Sequence, residues 1–134
     1  MMKKIYLTHC SKTKDNSLEN SGVAVLPEEL YQSKVIQRFI KRCQEQKVEW
    51  AIFSDLYGVW LSGERHEWYE KNPSKVSNEE FQRLVTNFDQ RLKDYDVIYF
   101  YHNPGRFHSL YKRLIKESAL KDKIKMISHL SDIK

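Results

Sequence analysis

The sequence predicts an α/β protein, a small three-layer α/β/α sandwich built on a four-stranded, mainly parallel sheet. Short apolar runs typical of strands alternate with helical patterns that carry one apolar face, in the order β-α-β-α-β-α-β. Such alternation favours parallel strands joined by right-handed helical crossovers. The length of 134 residues suits one domain, so we treat residues 1–134 as a single α/β domain.

Four runs rich in Val, Ile, Leu, Phe and Tyr are the predicted strands. They cover residues 4–10, 48–54, 96–101 and 123–128. The second and third are almost continuously apolar, which is typical of strands buried on both faces. The fourth begins with alternating lysines and apolar residues, which suits an edge strand. We expect the strand order 2-1-3-4.

Three amphipathic helices are predicted between these strands. Their start signals are Pro27 before two glutamates, a capping box from Ser77 to Glu80, and Asn103 before Pro104. The first helix is expected over residues 28–46, with Cys43 in its apolar face. Residues 55–76 are predicted to form a long loop before the second helix.

Charge is distributed unevenly along the chain. Residues 1–104 contain 15 Lys+Arg and 15 Asp+Glu, whereas residues 105–134 contain 8 and 3, so the net charge of +5 lies in the last quarter. A local positive field attracts phosphates or nucleic acid, and a solvated helix face has the same composition. No apolar run approaches the ~20 residues of a membrane span. We therefore expect a cytoplasmic protein with free thiols at Cys10 and Cys43 and no membrane partner, and nothing in the sequence indicates its oligomeric state.

The predicted sheet also predicts where a ligand would bind. Ligands of open parallel sheets lie beyond the carboxyl ends of the strands, where the strand order reverses. The loops that leave those ends are residues 9–15, 54–60 and 101–106. Each of them mixes reactive, cationic or aromatic groups, so we predict one site where these loops meet.

Three side chains of these loops are candidates for chemistry, namely Cys10, Asp55 and His102. The lysines close to Cys10 would lower the pKa of its thiol and make it a nucleophile. Asp55 would orient a sugar hydroxyl or an attacking water, and His102 would act as a base. A packing cysteine and turn-capping residues are the structural alternatives at these positions.

Other side chains in the loops suit an anionic ligand that carries a ring. Lys12, Lys14 and Arg106 would hold phosphate or carboxylate oxygens, and Ser11 and Asn103 add polar groups beside them. The aromatic residues that would stack on a base, or pin the long loop as a satellite core, are Tyr57, Trp60 and Tyr69. The five histidines show no metal-ligand spacing, so we expect neither a metal nor another cofactor.

Several of these residues belong to an ordered set of motifs. The chain carries C-S-K-T-K after the first strand, L-Y-Q-S at the first helix, S-D-L-Y-G-V-W after the second strand, and then W-Y. In this order they resemble an uncharacterised bacterial and archaeal domain family with C-S-x-x-K, L-Y-x-S and S-A-K-Y-G-L-L motifs. The resemblance covers roughly residues 4–75, with Asp55 and Leu56 where the family usually has Ala and Lys. It adds to the candidate binding residues Tyr31, Ser33, Ser54 and Gly58.

Similar cysteine, lysine and tyrosine patterns occur in a domain of archaeosine synthase, which modifies a deazaguanine base in transfer RNA. Related domains are similar to small α/β folds of the uracil-DNA-glycosylase type. The resemblance implies binding of, or action on, a nucleobase, nucleotide or nucleic acid, with hydrolysis or transfer at a glycosidic bond as the most concrete reaction. We therefore expect a small anionic or nucleotide-like ligand, or a nucleic acid. The alternative is a non-catalytic module that binds nucleic acid through the basic last quarter, or a protein partner.

Overall fold

The structure, a computed structural model, describes residues 2–102 and 107–134 and has an α/β fold. Within these residues it contains a five-stranded sheet and four helices. In chain order their bounds are β1 (Lys4–His9), α1 (Pro27–Leu30), α2 (Lys34–Gln46), β2 (Trp50–Ser54), β3 (Gly58–Leu61), α3 (Asn78–Leu92), β4 (Val97–Tyr101), α4 (Ser109–Glu117) and β5 (Ile124–Ile127).

The strands are arranged in the order β3-β2-β1-β4-β5. β1 pairs in parallel with β2 on one side and β4 on the other, so that Tyr6 lies between Trp50 and Tyr99. β5 adds in parallel to β4. The four predicted strands are therefore present and neighbour one another in the expected order 2-1-3-4, with the reversal of strand order at β1.

The fifth strand, β3, corrects the predicted four-stranded sheet. It lies within residues 55–76, predicted to be loop, but it turns back after β2 and pairs with it antiparallel, so the sheet is mixed. Gly58 permits this turn because its φ is +77°, and a Cβ atom there would collide with the Asn87 side chain. Asn87 Oδ1 of α3 accepts a hydrogen bond from Val59 N at 2.8 Å. A contact with a distant helix thus fixes the strand.

Helices cover both faces of the sheet. Phe39 of α2 stacks on Tyr101 with ring centroids 5.8 Å apart, whereas Phe53 of β2 packs edge-on against Phe88 of α3 and Tyr111 of α4 at 6.0 and 6.1 Å. Because Tyr101 aligns with the residue before Phe53, these two strand side chains point to opposite faces. Hence α2 lies on one face and α3 and α4 on the other, which gives three layers.

The helix predicted over residues 28–46 is two helices. Tyr31 ends α1 with extended backbone and pairs with Lys14 in an isolated antiparallel bridge. Its side chain is fully buried. The apolar spacing is correct for α2 but does not show that this buried tyrosine interrupts the helix.

The other two helices differ in how well their starts are predicted. α3 begins with the expected capping box, in which Ser77 and Glu80 each bind the backbone N–H of the other. α4 begins at Ser109 with His108 as its N-cap, not at the Asn103 signal. The predicted start itself lies outside the described residues.

Candidate functional site

A cavity of about 200 Å³, which we name the β1–β2 cavity, lies at the carboxyl ends of β1 and β2. Its walls come from the loop after β1, the turn after β2, the segment before α3 and the start of α4. The lining residues are His9, Cys10, Ser11, Lys12, Lys14, Asp55, Lys71, Pro73, His108 and Tyr111. Two of the three predicted catalytic residues, Cys10 and Asp55, therefore meet at the edge of the sheet where a ligand is expected.

The two strand ends hold Cys10 and Asp55 in place. The pairing of β1 with β2 continues for one residue beyond β1, because Cys10 N donates a hydrogen bond to Phe53 O at 2.9 Å. The buried Ser54 Oγ accepts hydrogen bonds from the backbone N–H groups of Leu56 and Tyr57 at 3.1 and 3.0 Å. This closes a tight turn that carries Asp55, so Ser54 shapes the site.

The Cys10 thiol is buried and is not activated. Its Sγ lies 3.3 Å from Tyr111 Oη. Burial, with a further contribution from the Asp55 charge, raises the pKa of Cys10 to about 11. Only about one molecule in 10⁴ then carries a thiolate at pH 7. The prediction that nearby lysines lower this pKa is wrong, because removal of water from the thiol is the largest effect and outweighs the opposing hydrogen bonds with Tyr111, Tyr69 and the Asp55 backbone.

Asp55 is the buried carboxyl of the cavity. It is 3% exposed, and its Oδ1 has no hydrogen-bond partner among the described residues. Burial raises the pKa of Asp55, while the Cys10 thiol and the Lys14 ammonium act in the opposite direction. A buried polar atom without a partner costs about 1–3 kcal/mol of stability. The burial of this carboxyl therefore does not stabilise the fold.

Lys14 brings an ammonium group to the same cavity. The residue is 7% exposed, and its Nζ lies 4.5 Å from the centroid of the Tyr69 ring. In the part of the chain that the structure describes, no carboxylate oxygen lies within 4.0 Å of this Nζ. The Tyr69 ring is held by a 2.6 Å hydrogen bond between its hydroxyl and that of Tyr31. Three predicted binding residues, Lys14, Tyr31 and Tyr69, thus form one unit.

Residues 71–75, which we name the roof segment, run along one wall of the cavity. Lys71 forms a salt bridge with Glu80 at the start of α3, and this hydrogen bond, together with those from Ser77, lowers the pKa of Glu80 to about 2. His108 Nδ1 accepts a hydrogen bond from the backbone N–H of Leu110. Its Nε2 therefore carries the proton and donates to Ser74 Oγ at 3.1 Å. The roof segment is thus tied to both α3 and α4.

The other two histidines near the cavity differ in position. His9 Nδ1 donates to Cys10 O at 3.0 Å, and its ring stacks on Tyr111 at 4.7 Å. Burial lowers the pKa of His9, so the ring is neutral at pH 7. His102, the third predicted catalytic residue, does not line the cavity, and its ring packs against Phe107 at 5.3 Å. His102 is therefore not among the residues that meet Cys10 and Asp55 in the cavity wall.

Two of the aromatic residues predicted to stack on a base are held within the fold. Trp60 is fully buried, and its Nε1 donates to Glu64 O at 2.8 Å. The Tyr57 ring stacks on His66 at 4.0 Å. The prediction that Trp60 stacks on a base is wrong, because a ring with no exposed surface has no face for a ligand. Both residues match the satellite core that was the alternative interpretation.

The remaining predicted binding residues lie around the cavity or outside the described residues. Ser33 lines a neighbouring cavity of about 260 Å³ at the start of α2, which also includes Ser11. Lys12 is exposed at the rim of the β1–β2 cavity. Asn103 and Arg106 lie outside the described residues, so their role stays a prediction.

Five lining residues were not among the sequence-predicted site residues, namely His9, Lys71, Pro73, His108 and Tyr111. Tyr111 lies in the apolar stripe of its helix, and its hydroxyl was the only local sign of a polar role. Lys71 and His108 carry no such sign, because they reach the cavity through contacts with Glu80 and Ser74.

Within residues 2–102 and 107–134, no group of three or more His, Cys, Asp and Glu side chains is arranged to hold a metal ion. None of the helices in those two ranges is both long enough and apolar enough to cross a membrane. Comparison with known proteins finds no matching family model, no matching curated protein and no matching solved structure.

Proposed function

We propose that the protein binds a nucleotide-like anionic ligand in the β1–β2 cavity and acts on its glycosidic bond. The observation that carries this proposal is the Asp55 carboxyl, which is buried in the cavity wall with one oxygen unpartnered. Buried carboxyls with a raised pKa in clefts are candidates for functional sites. A ligand that offers a donor to this oxygen would remove the cost of burying it.

The raised pKa of Asp55 supports a role as acid and base. In hydrolysis, the protonated carboxyl donates its proton to the leaving nitrogen of the base while the bond between C1′ and that nitrogen breaks. A water oxygen forms the new bond to C1′, and the water proton passes to the Asp55 carboxylate. In transfer, a second base takes the place of water. In both cases Asp55 returns to its starting state.

The neighbouring groups support binding and positioning. Lys12 and Lys14 line the cavity and are suited to anionic oxygens. Cys10 remains a thiol at pH 7 because its pKa is about 11. A hydrogen bond from this thiol to the Asp55 carboxyl acts to lower the pKa of Asp55, so Cys10 is a positioning residue for Asp55 rather than a nucleophile.

An assay for release of free base tests this proposal. The protein is incubated with ribo- and 2′-deoxyribonucleoside 5′-monophosphates, with and without a second free base as acceptor, and products are separated by chromatography. Asp55→Asn removes the proton but keeps the shape, so we expect base release or exchange to fall by about 10²- to 10⁴-fold. Asp122→Asn is the matched control, since Asp122 is exposed in the 3-10 turn Lys121–Lys123.

Two outcomes would contradict the enzymatic proposal. One is the absence of base release and exchange from every nucleotide with the wild-type protein. The other is an equal rate in the wild-type protein and the Asp55→Asn variant. If RNA or DNA binding is found instead, falls steeply with salt and is insensitive to Asp55→Asn, the non-catalytic alternative is favoured.

A further inference from the structure

We infer that the β1–β2 cavity takes the pentose 5-phosphate half of the ligand and leaves the base outside. The protein would then require the phosphate and tolerate different bases. This inference rests on the proposed function and specifies which part of the nucleotide is recognised. It follows from the size of the cavity, its charge and the side chains that line it in the described part of the chain.

The size of the cavity limits what it can enclose. Its volume of about 200 Å³ exceeds the ~150 Å³ that is known to enclose one benzene ring. It is smaller than the ~300 Å³ at the lower end of pockets for drug-sized ligands. One ring with a substituent fits, whereas a base, a pentose and a phosphate together do not. Part of a nucleotide must therefore lie outside.

The charge of the cavity favours the phosphate half. Lys14 is almost completely buried, yet no carboxylate oxygen lies within 4.0 Å of its Nζ among residues 2–102 and 107–134. Burial of an ammonium group is costly unless an anion accompanies it. Lys71 is already paired with Glu80, so Lys14, with Lys12 at the rim, is the group that would receive phosphate oxygens.

Among residues 2–102 and 107–134, the lining offers a base little aromatic surface on which to stack. Trp60 and Tyr57 do not line the cavity, and the Tyr69 ring lies against the Lys14 ammonium. Tyr111, the tyrosine among the described lining residues, is stacked on His9 and directs its hydroxyl to Cys10. A base inside would therefore gain little stacking. If the base lies outside the cavity, the identity of the base would contribute little to binding.

Calorimetric titration with five kinds of probe tests this inference. The probes are nucleoside 5′-monophosphates with different bases, the matching nucleosides, ribose 5-phosphate, 2-deoxyribose 5-phosphate and inorganic phosphate. We expect the monophosphates to bind about 10- to 100-fold more tightly than the nucleosides, because a charge-assisted contact is lost with the phosphate. Changing the base should alter Kd by less than about fivefold. The sugar phosphates should bind almost as tightly as the monophosphates, and inorganic phosphate more weakly.

Two lysine variants show whether the phosphate is held where we infer. Lys14→Met should bring the Kd of a monophosphate close to that of its nucleoside, and Lys12→Met should weaken binding without affecting the fold, since Lys12 is exposed. Lys125→Met, at an exposed position of β5, is the control and should leave Kd unchanged.

The possible failures are distinguishable. If nucleosides bind as tightly as monophosphates, or if Kd depends strongly on the base, this inference is wrong while the proposed function stands. If Lys14→Met and Lys12→Met leave the preference for phosphate unchanged, the phosphate lies elsewhere and the inference is also wrong. If no probe binds, both this inference and the proposed function are wrong.

Discussion

The two ends of the four parallel strands differ in how the fold hydrogen-bonds the buried polar groups there. At the amino end, Asp89 of α3 accepts a hydrogen bond from the Ser118 hydroxyl with one oxygen and from the backbone N–H of Ala119 with the other. At the carboxyl end, Asp55 keeps one oxygen without a partner among the described residues. Both are partly or fully buried carboxyls, but only the first is satisfied by the fold.

The lysines show the same contrast. Lys123 Nζ, at the amino end, donates to Lys93 O and Tyr95 O at 2.9 and 3.0 Å. Lys14, at the carboxyl end, faces an aromatic ring and no nearby carboxylate in the ranges that the structure covers. Buried polar groups normally find partners in the fold. We therefore expect a ligand at the carboxyl end to supply the partners that Asp55 and Lys14 lack among the described residues. Substitutions at matched positions should therefore have opposite effects on stability.

The largest effect is expected at Asp89. Asp89→Asn replaces one of the two accepting oxygens by an NH2 group, which then faces either the Ser118 hydroxyl or the Ala119 N–H, and Ser118 is buried. We expect the free energy of unfolding to fall by about 2 kcal/mol, the scale of a hydrogen bond to a charged group. Urea denaturation at pH 7 measures the change. A loss below about 0.5 kcal/mol would remove the contrast between the two ends, because that is the range of ordinary surface substitutions.

The matched change at the carboxyl end should stabilise the protein. Burial destabilises the charged form of Asp55, so we expect Asp55→Asn to raise the free energy of unfolding by about 1 kcal/mol at a pH where the carboxyl is ionised. The pKa of Asp55 is raised in the folded state, so the wild-type protein loses stability as the pH rises from the usual value of 3.8 through the raised value. The gain should thus be absent below pH 3.8 and grow as the pH rises through the raised value. Melting curves at several pH values check this, and a gain independent of pH would contradict the account.

The smallest effects are expected for the lysine pair. Lys123→Met removes two hydrogen bonds to backbone oxygens and should cost about 1 kcal/mol. Lys14→Met keeps the length of the side chain, removes a buried charge and should leave stability unchanged or raise it by less than about 1 kcal/mol. The two variants are compared by urea denaturation under the same conditions. Equal losses would mean that the fold satisfies Lys14 as fully as Lys123.

The parts of the fold predicted from the sequence are those with a local signal. The four parallel strands are continuous or alternating apolar runs, and the start of α3 is marked by Ser77 and Glu80. β3 has four residues inside a polar segment, and its position depends on Asn87 of a later helix. The break at Tyr31 depends on its pairing with Lys14. Neither contact is visible in the local sequence.

The sequence predicts that Cys10 and Asp55 come together, but it does not predict the environment of their side chains. The rule for parallel sheets brings Cys10 and Asp55 to one edge, and the structure places both in the cavity wall. The sequence shows the lysines beside Cys10 but not its burial, which raises the pKa of the thiol to about 11. It also does not show that Lys71 and His108 reach the cavity from distant segments.

The most direct test of a ligand at the carboxyl end follows the side-chain carboxyl carbons of Asp55 and Asp89 by NMR in protein with ¹³C-labelled aspartate. Signals are assigned with the two Asp→Asn variants and titrated with pH, with and without a nucleoside 5′-monophosphate. We expect the Asp55 signal to titrate above the usual pKa of 3.8 and to move when the nucleotide is added, while the Asp89 signal stays in place. An Asp55 signal that titrates normally and ignores the nucleotide, or an Asp89 signal that moves as far, would contradict the account.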